Sequence, residues 1–211
     1  MKEAGETPAA WVEQMLASGN KSFYTVKEGA NYYYDIPSKS QKKVPGQDAF
    51  IILDNIRETK KVWGNADTTL FDLGDGIVNL EFHSKMNSIG GGVISGINKA
   101  IEIAENQYEG LVIGNQGANF SVGANLAMIF MMAVEQEYDE LNFAIKAFQD
   151  TMMRVRYSGI PVIAAPHTMT LGGGCELTMH ADRAVAAAET YIGLVEFGVG
   201  VIPGGGGSKE M

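Results

Sequence analysis

Only one cysteine, Cys175, occurs among the 211 residues. No disulfide can close within the chain, no cysteine-rich metal site can form, and a reducing compartment fits. Positive charge is also scarce: 16 lysines and arginines stand against 25 aspartates and glutamates, a formal net charge of −9. Nothing basic is concentrated enough to neutralise a phosphate backbone, which excludes a general nucleic-acid binder. An anionic ligand would have to be held by backbone amides and a few lysines against the overall field. No apolar run reaches the roughly 18 residues of a membrane span. The start, MKEAGETPAAW, lacks the apolar core of a secretory signal. A soluble cytoplasmic protein is the expectation. His83, His167 and His180 have no metal-ligand spacing and G-x-S-x-G is missing, so neither a metal site nor a serine nucleophile is expected. Gly204 to Lys209, GGGGSK, is not a phosphate loop because serine precedes lysine. Its composition is that of a flexible linker.

What is plentiful is apolar residues, 45% of the chain, and glycine, 26 residues. That suffices for one sizeable domain with an appendage. Thr7 and Pro8 read as N-cap and first position of a short helix with Trp11, Val12, Met15 and Leu16 on one face, stopped by Gly19. Residues 20 to 47 mix aromatics with turn formers and show no long periodicity, so an irregular arm is expected, its rings serving as core or interface. Residues 47 to 61 fit a strand or a short helix equally. Beyond them, Thr69 to Leu73 and Ile77 to Phe82 flank Gly74-Asp75-Gly76, a hairpin signal. Ile94, Ile97, Ala100, Ile101 and Ala104 place a helix at about 92 to 106. Leu111 to Ile113 and Ile160 to Pro166 are short buried strands. Residues 126 to 156 read as helical, and their methionines as core filling or as a wall suited to an acyl chain. Ala184 to Ala187 lead toward a further short strand. The cadence of hairpin, helix, strand and glycine loop predicts an α/β fold of ββα units.

Two glycine turns carry the chemistry. Gly172-Gly173-Gly174, after a buried strand and before the helix former run CELTM, implies a backbone that bends tightly or touches something. It leads into a helix N-terminus with outward N–H groups. Gly123-Ala124, in GNQGANFSVGAN, is built alike. Two convergent amides are what a developing oxyanion needs, each contributing about 3 kcal/mol when water is excluded. Glu176 and Glu196, each attached to a glycine-rich turn, can divide into a water-activating base and a proton donor whose titrations are coupled. Taken singly, either glutamate is more often a solvated charge.

FSVGANL (120 to 126), LGGGCEL (171 to 177) and Glu196 followed by GVGVIPGGGG resemble, in order and spacing, the three signatures of the crotonase superfamily, the enoyl-CoA hydratases and isomerases, over roughly residues 66 to 211. The resemblance implies a crotonase-like spiral of ββα units, a coenzyme A thioester substrate, trimers or trimer pairs, and no cofactor for hydration. It implies oxyanion donors at Ala124 and Gly173, acid/base work by Glu176 and Glu196, and Gly123, Gly172 and Gly174 against the substrate. Two glutamates favour hydration of a 2-enoyl-CoA; a 3,2-enoyl-CoA isomerase, or a noncatalytic CoA-binding or oligomerisation module, is the alternative. Asn125 and Val195 depart from the aspartate and proline common at these places. The helices that close the acyl pocket in the family are expected beyond Met211. Residues 1 to 46 (KEAGETPAAWVEQML, then SFYTVKEGANYYYDIP) resemble the tail of a 3-hydroxyacyl-CoA dehydrogenase. That makes 47 to 211 the hydratase domain of a multifunctional fatty-acid oxidation protein whose NAD-binding part lies outside this chain.

Overall fold

The computed structural model describes residue 5 and residues 7–211. The chain divides into two compact units, one running to Thr59 and one from Lys60 to Met211.

The first unit opens with helix α1 (Ala10–Ala17), which buries Met15. It begins two residues later than Thr7-Pro8 predicts, after Ala9, and no side chain caps it. An irregular arm was the expectation for residues 20 to 47; the structure forms a three-stranded antiparallel sheet of β1 (Tyr24–Lys27), β2 (Ala30–Asp35) and β3 (Ser40–Lys43). Two tight loops make this possible. Glu28 and Gly29 both take positive φ, 51° and 76°, the geometry whose twist matches a two-residue hairpin. In the second loop Asp35 accepts hydrogen bonds from the N–H and hydroxyl of Ser38. Trp11 and Phe23 meet edge to face at 5.8 Å, and Tyr34 is fully buried. The stretch after β3 is helical, a 3-10 turn (Gln47–Ala49) and α2 (Leu53–Ile56).

The second unit is built on a six-stranded sheet. Its strands are β4 (Lys61–Gly64), β5 (Thr68–Gly74), β6 (Ile77–Phe82), β7 (Gly110–Ile113), β8 (Val162–Ala164) and β10 (Arg183–Ala184), in the order β10-β8-β7-β6-β5-β4. Pairing is antiparallel from β4 to β6 and parallel from β6 onward. Val78 to Phe82 are buried without alternation, as expected of a strand covered on both faces. Helix α3 (Gly91–Gln107) lays Val93, Ile97, Ala100, Ile101 and Ala104 on the sheet, the 3.6-residue stripe visible in the sequence.

Residues 126 to 156 form two helices, α4 (Leu126–Val134) and α5 (Tyr138–Arg156), where one helical stretch was read. The break is at Gln136, whose φ of 60° no helix tolerates. Of the methionines, Met152 fills the core, whereas Met128, Met131 and Met153 are exposed. A small parallel pair, β9 (Met169–Leu171) with β11 (Tyr191–Gly193), lies beside α6 (Gly173–His180). A 3-10 turn (Glu196–Val199) and α7 (Gly207–Glu210) complete the chain.

Candidate active site

The first glycine turn is held from beneath by buried amides and a hydroxyl. Asn115 accepts from the N–H of Phe82 at 2.6 Å and donates to the carbonyl of Phe120 at 2.7 Å, tying the loop to β6. Ser121, wholly buried, donates its hydroxyl to Asn87 O at 2.7 Å and accepts from Gly123 N–H at 3.1 Å. Its own backbone pairs with Met169 and Leu171, so one residue joins both turns. Gly123 has φ of 88°. A Cβ there would sit 2.7 Å from Leu171 O and 2.8 Å from Gly173 N, so only glycine permits the approach.

The second turn follows β9. Gly172 takes φ 51° and ψ −120° as the N-cap of α6, a conformation confined to glycine. A Cβ on Gly172 would lie 3.1 Å from Glu196 Oε1, and one on Gly173 would lie 3.5 Å from Ala124 N. The two turns and the second glutamate therefore share one neighbourhood. Among the described residues, the N–H groups of Ala124 and Gly173 donate to no protein acceptor. Gly174 faces inward: a Cβ there would be 2.8 Å from Ser121 Cβ, so this glycine serves the contact between the turns.

Glu176, in the first turn of α6, is 1% exposed. Its Oε1 accepts from Gly205 N–H and Gly207 N–H, each at 2.8 Å. Burial pushes its carboxyl above the ordinary range; the two amides and His180 pull the other way, and the charge of Glu196 adds to the rise. Glu196 is buried too, and its Oε2 has no hydrogen-bond partner. A buried carboxylate oxygen left unpaired is costly unless something outside the protein meets it. Cys175 is buried near both acids; burial first, then the charges of Glu196 and Glu176, push its thiol up to about 11, which disfavours the nucleophilic thiolate.

The histidines are placed structurally. His83 meets the Thr69 hydroxyl at 2.8 Å, His167 meets Thr168 at 3.1 Å, and His180 Nδ1 bonds the Glu176 carbonyl at 2.7 Å. Among the described residues no group of His, Cys, Asp and Glu is arranged to hold a metal, and no helix is long and apolar enough to cross a membrane.

Two unengaged backbone donors close to two buried acids are suited to a planar carbonyl compound whose oxygen gains charge. The family model for enoyl-CoA hydratase/isomerase matches residues 72–211. The chain belongs to this family. An enoyl-CoA hydratase from Polaromonas sp. JS666 shares its fold with a TM-score of 0.64 at 26% identity, over 68% of this chain and 56% of that one. Another from Bacillus anthracis gives 0.62 at 25%, again over 68% and 56%. In sequence, a probable 3-hydroxyacyl-CoA dehydrogenase of Bacillus subtilis is 48% identical over the whole chain, which spans 27% of that protein. A putative fatty acid oxidation complex trifunctional enzyme of Rickettsia prowazekii is 35% identical over 83% of this chain and 24% of its own length. The chain thus spans about a quarter of these relatives.

Within this crotonase-type fold, sequence reasoning had named the turns and both acids and missed what supports them. Gly204 to Gly207 has the composition of a flexible linker, yet Gly205 and Gly207 are the donors to Glu176. Ser121, Asn87 and Asn115 were also passed over. Their signal was the density of asparagine and serine around a glycine loop, the residue types that bond backbone locally.

Proposed function

We propose that this chain carries an enoyl-CoA hydratase site, adding water across the double bond of a 2-enoyl-CoA to give a 3-hydroxyacyl-CoA. The observation that carries the reading is the pair of buried carboxylates, Glu176 and Glu196, beside the unengaged amides of Ala124 and Gly173. The thioester oxygen takes both N–H groups, which draws electron density from C3. Water, held between the acids, gives a proton to one carboxylate as its oxygen bonds C3. The enolate at C2 then takes a proton from the other acid and the thioester carbonyl re-forms. The net change is one water added, with no redox cofactor; coenzyme A enters as part of the substrate. Burial shifts the Glu176 carboxyl upward, the direction that favours its protonated, proton-donating form.

A 3,2-enoyl-CoA isomerase needs one proton shuttle, so the second buried acid favours hydration. The test uses the intact protein with trans-2-enoyl-CoA and 3-enoyl-CoA. Loss of conjugated-thioester absorbance with the former supports hydration; conversion of the latter alone supports the isomerase. Glu176→Gln and Glu196→Gln should each raise the barrier by at least about 2 to 3 kcal/mol; unchanged turnover would point to a noncatalytic CoA-binding module.

The same reading extends to the longer protein. The likeness to the B. subtilis probable 3-hydroxyacyl-CoA dehydrogenase supports a dehydrogenase elsewhere in it, which would use NAD to oxidise the hydration product in fatty-acid oxidation in the cytoplasm. A trimer-type homo-oligomer is part of the proposal, supported by the exposure of Phe130, Phe197 and Ile202.

A further inference from the structure

Four consecutive glycines are an expensive way to place two amide donors, because each loses much backbone freedom on ordering. The Gly204 to Gly207 loop nevertheless lies over Glu176, against His180 and Leu194, and two further contacts come from α5. Gln149 donates its side-chain amide to Gly204 O at 2.8 Å. On the adjacent residue, the edge of the Phe148 ring fills the space that a Cβ on Gly205 would need, and the same ring lies 3.0 Å from where a Cβ on Gly173 would be. One ring therefore touches both the turn bearing an amide donor and the loop bearing the donors to Glu176. Further along α5, Arg156 pairs with Glu210 just past the loop.

We propose that Phe148 and Gln149 are positioning residues, holding the Gly204 to Gly207 loop so that the N–H groups of Gly205 and Gly207 stay on the Glu176 carboxylate. This deepens the hydratase reading and rests on it for its catalytic meaning. Neither side chain needs to touch substrate. The ionisable groups facing Glu176 are Cys175 and His180 from α6 and Glu196 from the turn after β11. Arg156, Lys209 and Glu210, from α5 and α7, pair among themselves. With those surroundings and the burial of the carboxyl unchanged, losing the two donors disfavours the ionised form, and Glu176 then ionises at higher pH.

The experiment is a carboxyl titration of Glu176 in the intact protein by infrared difference spectroscopy, with Glu176→Gln as the blank, alongside the pH profile of 2-enoyl-CoA hydration. Gln149→Ala and Phe148→Leu are the variants; Gln149 is exposed, so its change leaves the core intact if Phe148→Leu fails to fold. The expected result is an upward displacement of the Glu176 titration by about one pH unit. The limb of the rate profile governed by Glu176 moves the same way, with KM for the acyl-CoA within about twofold. A titration that does not move, whether kcat falls or only KM changes, overturns the proposal. If the unmodified protein hydrates nothing, the hydratase reading fails by itself, and the spectroscopic displacement still decides the role of Phe148 and Gln149.

Discussion

Glu176 is stabilised and penalised at once. Its Oε1 is satisfied by two amides, while its burial disfavours charge more than those amides favour it. Folding therefore raises the pKa of this acid above its unfolded value. Below the ordinary glutamate range both states hold the proton and nothing is lost; as pH rises through the folded value, the buried acid ionises and stability falls. Glu176→Gln keeps an oxygen for Gly205 and Gly207 and never ionises. Its melting temperature relative to the unmodified protein should accordingly climb as pH rises above the ordinary glutamate range, a gain in stability purchased with activity. A difference that shrinks instead would refute the account of this acid. The glycines make the second prediction at this scale. Gly123→Ala combines a strained φ with a collision against Leu171 O and Gly173 N, so it should cost roughly 2 kcal/mol or more in chemical denaturation and depress kcat. An alanine variant of normal stability and rate would mean the turns do not meet as described.

Among the elements, those with a clean period were readable and those set by a backbone angle were not. Helix α3 and the β5-β6 hairpin were visible because apolar spacing and an Asp-Gly turn agree with the fold. The β1-β2-β3 sheet was hidden. Tyr32, Tyr33 and Tyr34 interrupt the alternation that marks a strand, and the hairpin loop is Glu28-Gly29 rather than a stronger Asn-Gly or Asp-Gly signal. The break between α4 and α5 falls on Gln136, a residue type that gives no warning of positive φ. At the site, Glu176, Glu196 and the glycine turns were legible because chemistry and backbone geometry restrict the residue types. Phe148 and Gln149 were not, because their partners lie more than fifty residues away for Gln149 and in two separate loops for Phe148. The asparagine support under the first turn tests how elements pass position to the site. Asn115→Leu leaves Phe82 N–H and Phe120 C=O buried without partners, so unfolding should require at least about 2 kcal/mol less. Hydrogen exchange at Phe82 should quicken most; protection unchanged there would show that Asn115 is not the tie.

For the whole molecule, a net charge of −9 gives a coenzyme A thioester no general attraction. Binding of such a ligand would have to come from local backbone donors rather than from the overall field. The second compact unit brings together groups from positions 123 to 207: both turns, both acids and the Gly204 to Gly207 loop. A crystal structure of the intact protein with a saturated acyl-CoA shows whether these groups meet around one thioester. The account predicts the thioester oxygen at about 2.7 to 3.1 Å from both Ala124 N and Gly173 N, with the Glu176 and Glu196 carboxylates beside C2 and C3. A thioester oxygen bonded to neither amide, or an acyl chain seated away from the two acids, would contradict it.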